Sequence, residues 1–407
     1  MAPPPPPLPT PVESLEDLPD DILRMILSRI PCRVDRVPIA LVCPAWRDMI
    51  RRHRAQAPPP LPWLLTPFPD GSIHVVCVLS GCRVHQNLTI NPPGARFFGS
   101  HDGAWIFLHY RDHEPRGNHA HNVRTKDVER LPVGLLGQDG MLFDNMVVRA
   151  AALSSAPDDA TCIAAAIVVV PLPGPAPNAV PRRRRCVAFW RKGWELAREL
   201  VPPEQDVALE VDDVVYHNGA FHMLTQGDHI RVCKPTIEPQ DEGLPVNWEW
   251  ETRRFQFQAG GGIYDQHVHA RYLVVSREEL LLVLRFTPQP NLATSKFKVY
   301  KETDADANAY YPVAQYPWAW SELDTLGDRM LFVGHGCCRS YEVDQYPGFK
   351  DGIYFIDDRE FYNVQVMFGN ARRYPCSDNG KWSEGDVQRC FPAPHISNHS
   401  APAWLLP

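Results

Sequence analysis

Residues 212–233 read DDVVYHNGAFHMLTQGDHIRVC. Asn218-Gly219 sits between the apolar runs VVYH and AFHMLT, the strongest short-range signal for a two-residue hairpin. Gly227-Asp228 then turns the chain into HIRVC. Three consecutive antiparallel strands of this kind form a meander. Looser versions begin near Asp213, Arg271 and Gly327, a period of about 57 residues and within the range of repeat architectures. The body of the chain, roughly 340 residues at that period, accommodates about six blades, with seven possible. A β-propeller removes the problem of unpaired edge strands by closing on itself; a β-sandwich competes but is usually smaller. The expected fold class is therefore mainly β.

Short runs rich in Val, Ile, Leu and aromatics, separated by turn residues, read as the strands of this body. They are Ile73–Leu79, Trp105–Tyr110, Met146–Leu153, Cys162–Val170, Cys186–Trp190, Val214–Tyr216, Ala220–Thr225 and Ile230–Cys233. Tyr272–Ser276, Leu280–Phe286, Phe297–Lys301, Met330–Val333, Ile353–Ile356 and Tyr362–Phe368 continue the series.

Ahead of the body lies the one strongly helical stretch, residues 15–54, LEDLPDDILRMILSRIPCRVDRVPIALVCPAWRDMIRRHR. Pro19 suits a first helical position, and Asp20 and Asp21 favour the positive end of the helix dipole. Ile22, Leu23, Ile26, Leu27 and Ile30 recur at helical period, and Pro31 ends that helix. Asp35 is a candidate cap for a second helix, with Pro38 in its first turn. Leu41, Val42 and Cys43 follow, and Pro44 forces a break. Trp46 opens a third segment that ends in Arg51, Arg52 and Arg54. Three helices in so short a stretch make a small core, so the module is expected to share its apolar face with a partner.

The pattern L-P-x-D-I-L…I…I-P-C-R-x-D-R…L-V-C-x-x-W-R resembles a plant F-box. The resemblance implies binding to the Skp-type adaptor of a cullin ubiquitin ligase, through Leu18, Pro19, Ile22, Leu23, Ile26, Leu27, Ile30, Val42 and Trp46. Pro38 departs from the family, which usually has a helix former there. Residues 332–358, FVGHGCCRSYEVDQYPGFKDGIYFIDD, with SHDGAWIFL and DDVVYHNGAFHMLT upstream, are similar to the KIB-type propeller found behind plant F-boxes. That similarity runs over nearly all of residues 63–395, the first half being more diverged, with an insertion PLPGPAPNAVPRRRRC. It implies a propeller that binds proteins, some relatives pointing to kinase-type partners.

The expected organisation is a disordered Pro-rich tail (1–12), an F-box (13–54), a semi-rigid Pro-rich linker (55–62) and a propeller (63–400). The expected function is substrate recognition for an SCF-type ubiquitin ligase. The alternatives are a non-degradative regulator that sequesters or inhibits a partner, and an enzyme or sugar-binding propeller carrying an F-box.

Composition narrows the remaining classes. The chain has 407 residues and a formal net charge of −7, which argues against a dedicated nucleic-acid binder. No apolar run reaches the length of about 18 residues that spans a bilayer, and MAPPPPPLPTP lacks the order of a secretory signal. The expected location is cytoplasmic or nuclear. Eleven scattered cysteines are expected to be free thiols. His101, His109, His113, His119 and His121 crowd together, yet one short strand and polar loops would point them apart, so no metal site is expected. Arg182–Arg185 reads as a solvated, exposed loop, with a nuclear-import signal or an anion patch as the alternatives. Gly334 and Gly336 fit neither nucleotide-binding spacing and read as close-approach positions. Asp344, Tyr346, Pro347 and Phe349 read as a structured turn that packs the blade, with Gly348 as its permissive residue. Asp357 and Asp358, adjacent in sequence, point apart on a strand. No G-x-S-x-G, H-E-x-x-H or Walker sequence is present, and neither a catalytic residue nor a cofactor is assigned.

Overall fold

A computed structural model of the chain describes residues 18–30, 33–53, 59–77, 94–111, 116–172, 182–201, 210–236, 247–258, 264–290, 292–306, 310–346, 348–358, 374–391 and 396–406. Three helices are followed by strands throughout, and the strands form six sheets among the described residues. These are the blades of a six-bladed propeller. Tyr362–Phe368, expected as a strand, lies outside the described residues.

Blade 1 pairs Trp63–Pro67 with Ile73–Val76 on one side and with Ala403–Leu405 on the other. Blade 2 is the meander Arg96–His101, Trp105–Tyr110, Gly117–Asn122 and Val128–Leu131. Blade 3 runs from Val147–Leu153 through Ile163–Leu172, Arg182–Arg191 and Leu196–Glu199, and Gly134–Leu136 and Leu142–Phe143 add to its outer edge. Blade 4 is Val211–His217, Ala220–Thr225, Ile230–Thr236 and Asn247–Arg253. Blade 5 is His267–Ser276, Glu279–Thr287, Lys296–Asp304 and Trp318–Glu322, with Phe255–Phe257 parallel at its edge. In blade 6, Arg329–Val333 lies between Arg339–Glu342 and a parallel Gly352–Phe355, and Gly380–Ser383 and Asp386–Gln388 follow.

The alternation of side chains along each strand explains why the blades close into a ring. In Glu279–Thr287, Leu280, Leu282, Leu284 and Phe286 pack with blade 4, while Leu281 and Val283 pack with blade 6. A strand buried on both faces reads as a nearly continuous apolar run, and Leu280–Leu284 with Phe286 supply it, Arg285 being the buried exception. The same holds around the ring. Separate apolar clusters join blades 1 and 2, 2 and 3, 3 and 4, 4 and 5, 5 and 6, and 6 and 1. The Asn218-Gly219 hairpin forms as its residues dictate: both have positive φ, 48° and 78°, as a type I′ turn requires.

Charged residues also tie blades together. Arg285, fully buried on the blade 5 face that meets blade 6, reaches Asp358 at 3.1 Å and Asp378 at 2.9 Å, and donates to Thr294 and the Ile356 carbonyl. Asp357 instead accepts from the backbone N–H groups of Ser377 and Asp378. The neighbouring carboxylates therefore serve separate structural roles. Gly336, at φ +68°, has room for no side chain: a Cβ there would stand 3.0 Å from the Phe98 carbonyl oxygen and 3.1 Å from the Ala151 nitrogen. Blades 2, 3 and 6 meet at this close approach. Tyr346 is buried between blades 6 and 1, with Phe349 against it.

Three local expectations are corrected. Arg182–Arg185 is not a loop. It pairs residue for residue with Val169–Leu172, and the partner strand fixes it where local composition favoured coil. Arg184 pairs with Glu199, and Arg185 with Glu210 and Asp212, so these guanidinium groups are already engaged. Residues 117–122, GNHAHN, are likewise a strand, held between Trp105–Tyr110 and Val128–Leu131. The expected spacer at 55–62 is partly docked: the Tyr346 hydroxyl donates to the Pro59 carbonyl at 2.6 Å, and Leu61 is buried between blades 6 and 1.

Candidate protein-interaction site

The helical module consists of α1 (Asp20–Ser28), α2 (Arg33–Ile39) and α3 (Pro44–His53). Pro19 caps α1 from outside rather than opening it. Its carbonyl accepts from the N–H groups of Ile22 and Leu23, which a residue with no N–H of its own can do without loss. The helix ends at Ser28, before Pro31, which lies outside the described residues. α2 begins at Arg33, so Asp35 lies inside it rather than at its cap, and Pro38 falls in its last turn. Pro38 cannot donate to the carbonyl four residues back, and its ring crowds that carbonyl. The helix stops one residue later. The chain then tightens through bonds from Ala40 to Val37, Leu41 to Pro38 and Val42 to Ile39. That turn leaves Leu41 and Val42 in solvent, 69% and 51% exposed. α3 restarts at Pro44, where a missing N–H costs nothing.

Burial divides the nine expected adaptor-binding residues. Leu23, Leu27 and Trp46 are buried with Cys43 and Met49 in the module's own core. Leu18 and Ile26 are half-buried against that core, and Ile22 and Ile30 are half-buried as well. Pro19 and Val42 face solvent. The module also exposes Met25, Val37 and Leu41, which the periodicity of α1 did not single out. The signal for two of them was local: Val37 and Leu41 flank the proline that ends α2.

A second candidate surface lies on the propeller axis. Inner-strand ends from blades 2 to 5 and the 336–340 segment of blade 6 enclose a cavity of 370 Å³. At its rim, Arg339 grips Asp102 through two hydrogen bonds of 3.1 Å, a bidentate pair. Burial, then the charge of Arg339, lowers the pKa of His101 to about 4, so its ring is neutral near pH 7. Burial pushes the carboxyl of Asp213 up to about 7, against the pull of backbone hydrogen bonds. A carboxylate shifted that far is a general-base candidate, but here both oxygens are occupied. One accepts from the Val214 N–H and the other from the Leu273 N–H of blade 5. Asp213 is thus a tie between blades. Burial also raises Cys337 to about 12 and Cys338 well above the usual thiol range, so neither is a nucleophile at neutral pH.

His109, His119 and His121 of the 101–121 cluster serve the structure. His109 hydrogen-bonds Asn118 at 2.8 Å, and His119 and His121 pack against Tyr110. His113 lies outside the described residues. Burial lowers the pKa of His119, and that of His121 to about 4. Among the described residues no group of His, Cys, Asp or Glu could hold a metal ion, and no helix is long and apolar enough to cross a membrane.

The family comparisons agree with this layout. Residues 15–55 match the F-box-like family model, and residues 78–376 match the model described as the KIB1-4 beta-propeller. The chain belongs to the KIB1-4 beta-propeller family. Within this KIB1-4 chain the family match runs from the end of blade 1 into blade 6 and covers the axial cavity, and the F-box-like match covers α1 to α3. An F-box joined to a propeller fits an F-box substrate-recognition protein. No curated protein matches the chain. Similar solved structures include the N-terminal domain of Nup159, at 8% identity and a TM-score of 0.31, over 80% of this chain and 72% of that one. The complex of KlAtg21 with the coiled coil of AgAtg16 gives 10% identity and a TM-score of 0.28, over 62% of this chain and 76% of that one.

Proposed function

We propose that this KIB1-4 chain is the substrate-recognition subunit of an SCF-type ubiquitin ligase, working in the cytoplasm or nucleus. The helical module docks on a Skp-type adaptor and through it on a cullin; the propeller holds a target protein. The chain's own contribution is proximity. Tethering the target beside the charged enzyme raises its effective concentration, and ubiquitin transfer takes place on other subunits.

The observation that supports this reading most directly is the exposed apolar set Val37, Leu41 and Val42 on a module whose own core is already filled. The docking face combines these residues with Pro19, Ile22 and the exposed edge of α1. Leu23, Leu27 and Trp46 shape that face from beneath. Replacing Leu41→Asp together with Val42→Asp should abolish pull-down of a Skp-type adaptor while the thermal transition of the propeller stays in place. Undiminished pull-down would refute the docking face. A target whose half-life does not depend on an intact module would favour the non-degradative reading.

A further inference from the structure

A groove of 570 Å³ opens between blades 4 and 5. It begins at the hairpin turns that follow two of the inner strands lining the axial cavity, 217–220 after Val211–His217 and 278–280 after His267–Ser276. Five carboxylates line it: Glu249 and Glu251 from blade 4, and Glu278, Glu279 and Glu302 from blade 5. They face two cations, Lys234 and Arg253. Arg253 is committed to Glu251 at 2.9 Å and Glu302 at 3.3 Å. Glu249, Glu278 and Glu279 are exposed, and no salt bridge engages their side chains among the described residues. Burial raises the pKa of Glu302 despite the charge of Arg253, so part of this negative charge lies where water screens it poorly.

The floor of the groove supplies a second feature. His222 is only 5% exposed, and its Nδ1 has no hydrogen-bond partner. A buried polar atom left unpaired is costly, and His222 is one of the residues that line the cavity. Burial first, then Arg253, lowers the ring's pKa to about 4, so near pH 7 it is neutral and has one acceptor nitrogen. The indole of Trp250 is turned to the other face of blade 4, where it packs against Phe189 of blade 3. The carboxylates do not converge as a metal site among the described residues. They are spread along two blades, which suits an elongated cation rather than a point charge.

We infer that this groove receives an arginine-bearing segment of the recruited target protein. A guanidinium presents several donors in one plane. It therefore matches unpaired carboxylates and a neutral imidazole acceptor together. A lysine would use the charge but not the planar fork. The inference rests on the proposed function, in which the propeller holds the target, and it names the chemistry of that target.

The test is fluorescence anisotropy with a labelled Gly-Arg-Gly-Arg-Gly peptide and the full chain. Saturable binding is expected, and substituting Glu249→Gln, Glu278→Gln and Glu279→Gln together should weaken it at least tenfold. His222→Phe, which keeps the ring but removes the nitrogens, should weaken it at least threefold, an effect that a diffuse negative field would not produce. Glu384→Gln, on an exposed turn of blade 6, should leave it unchanged. No saturable binding, or an affinity unaffected by either groove variant, overturns the inference. Adaptor pull-down on the same preparation reports separately on the proposed function, so failure of the one is distinguishable from failure of the other.

Discussion

The helical module and the propeller bury apolar side chains in opposite ways. The module has one small core of Leu23, Leu27, Cys43, Trp46 and Met49. Every blade of the propeller has two neighbours, and each interface has its own cluster. The contrast shows on the surface as well. Among the described residues, four of the fifteen large exposed apolar side chains, Met25, Val37, Leu41 and Val42, fall within the module's short span. The ring buries apolar residues on both faces of each blade; the module buries them in one core and leaves these four in solvent.

The comparison breaks most readily at Arg285. Its replacement, Arg285→Ala, strands Asp358 in the interface between blades 5 and 6 and leaves Asp378 only Arg389 as an ionic partner. Removing one partner of a buried ion pair costs about 3–5 kcal/mol. Chemical denaturation of the propeller should show that loss, while hydrogen exchange in α1 and α3 stays as before. The converse change is Leu27→Ala. A buried Leu→Ala substitution costs about 2–5 kcal/mol, which is large against so small a core. Exchange protection of the module should collapse and adaptor binding should fall, with the propeller transition unmoved. If both regions melt together, the two are not energetically separate.

Asp213 sharpens the comparison with a smaller effect. Burial raises its carboxyl from an ordinary 3.8 to about 7. The folded value lies above the unfolded one, so its favourable contribution is full below about pH 4. It is lost as pH rises through about 7. Asp213→Asn removes this titration. The stability of the variant relative to the parent should therefore improve by about 1–3 kcal/mol between pH 4 and 8, solvent relaxation moderating the burial penalty. The gap should appear in the propeller transition alone; a constant gap would show that the carboxyl does not titrate there.

Legibility in the sequence followed burial. Central strands such as Ala220–Thr225 and Glu279–Thr287 are buried at nearly every position because both faces are covered, and their mostly apolar runs stand out. Outer strands do not. Asn247–Arg253, NWEWETR, alternates between exposed and half-buried residues, and its place comes from pairing with Ile230–Thr236. GNHAHN and RRRRC are strands through ladder hydrogen bonds to apolar neighbours, which no local pattern encodes. In the module, the period of α1 identified the apolar stripe but not which of its members the third helix would cover. Leu23 and Leu27 went inside because Trp46 and Met49 meet them. The groove between blades 4 and 5 was invisible in sequence, since Glu249 and Glu279 come together only when two blades pack side by side.

Blade 1 is completed by Ala403–Leu405, which pairs with Trp63–Leu65. Those partners are separated by most of the chain, and long-range pairing of this kind is intrinsically slow. During synthesis the helical module emerges from the ribosome long before the ring can shut. Until residue 405 has been made, the apolar faces of blades 1 and 6 that meet at Trp404 stay open to water and to other nascent chains. The same strand that seals the finished molecule thus sets the period over which it is most exposed to chaperones and to aggregation.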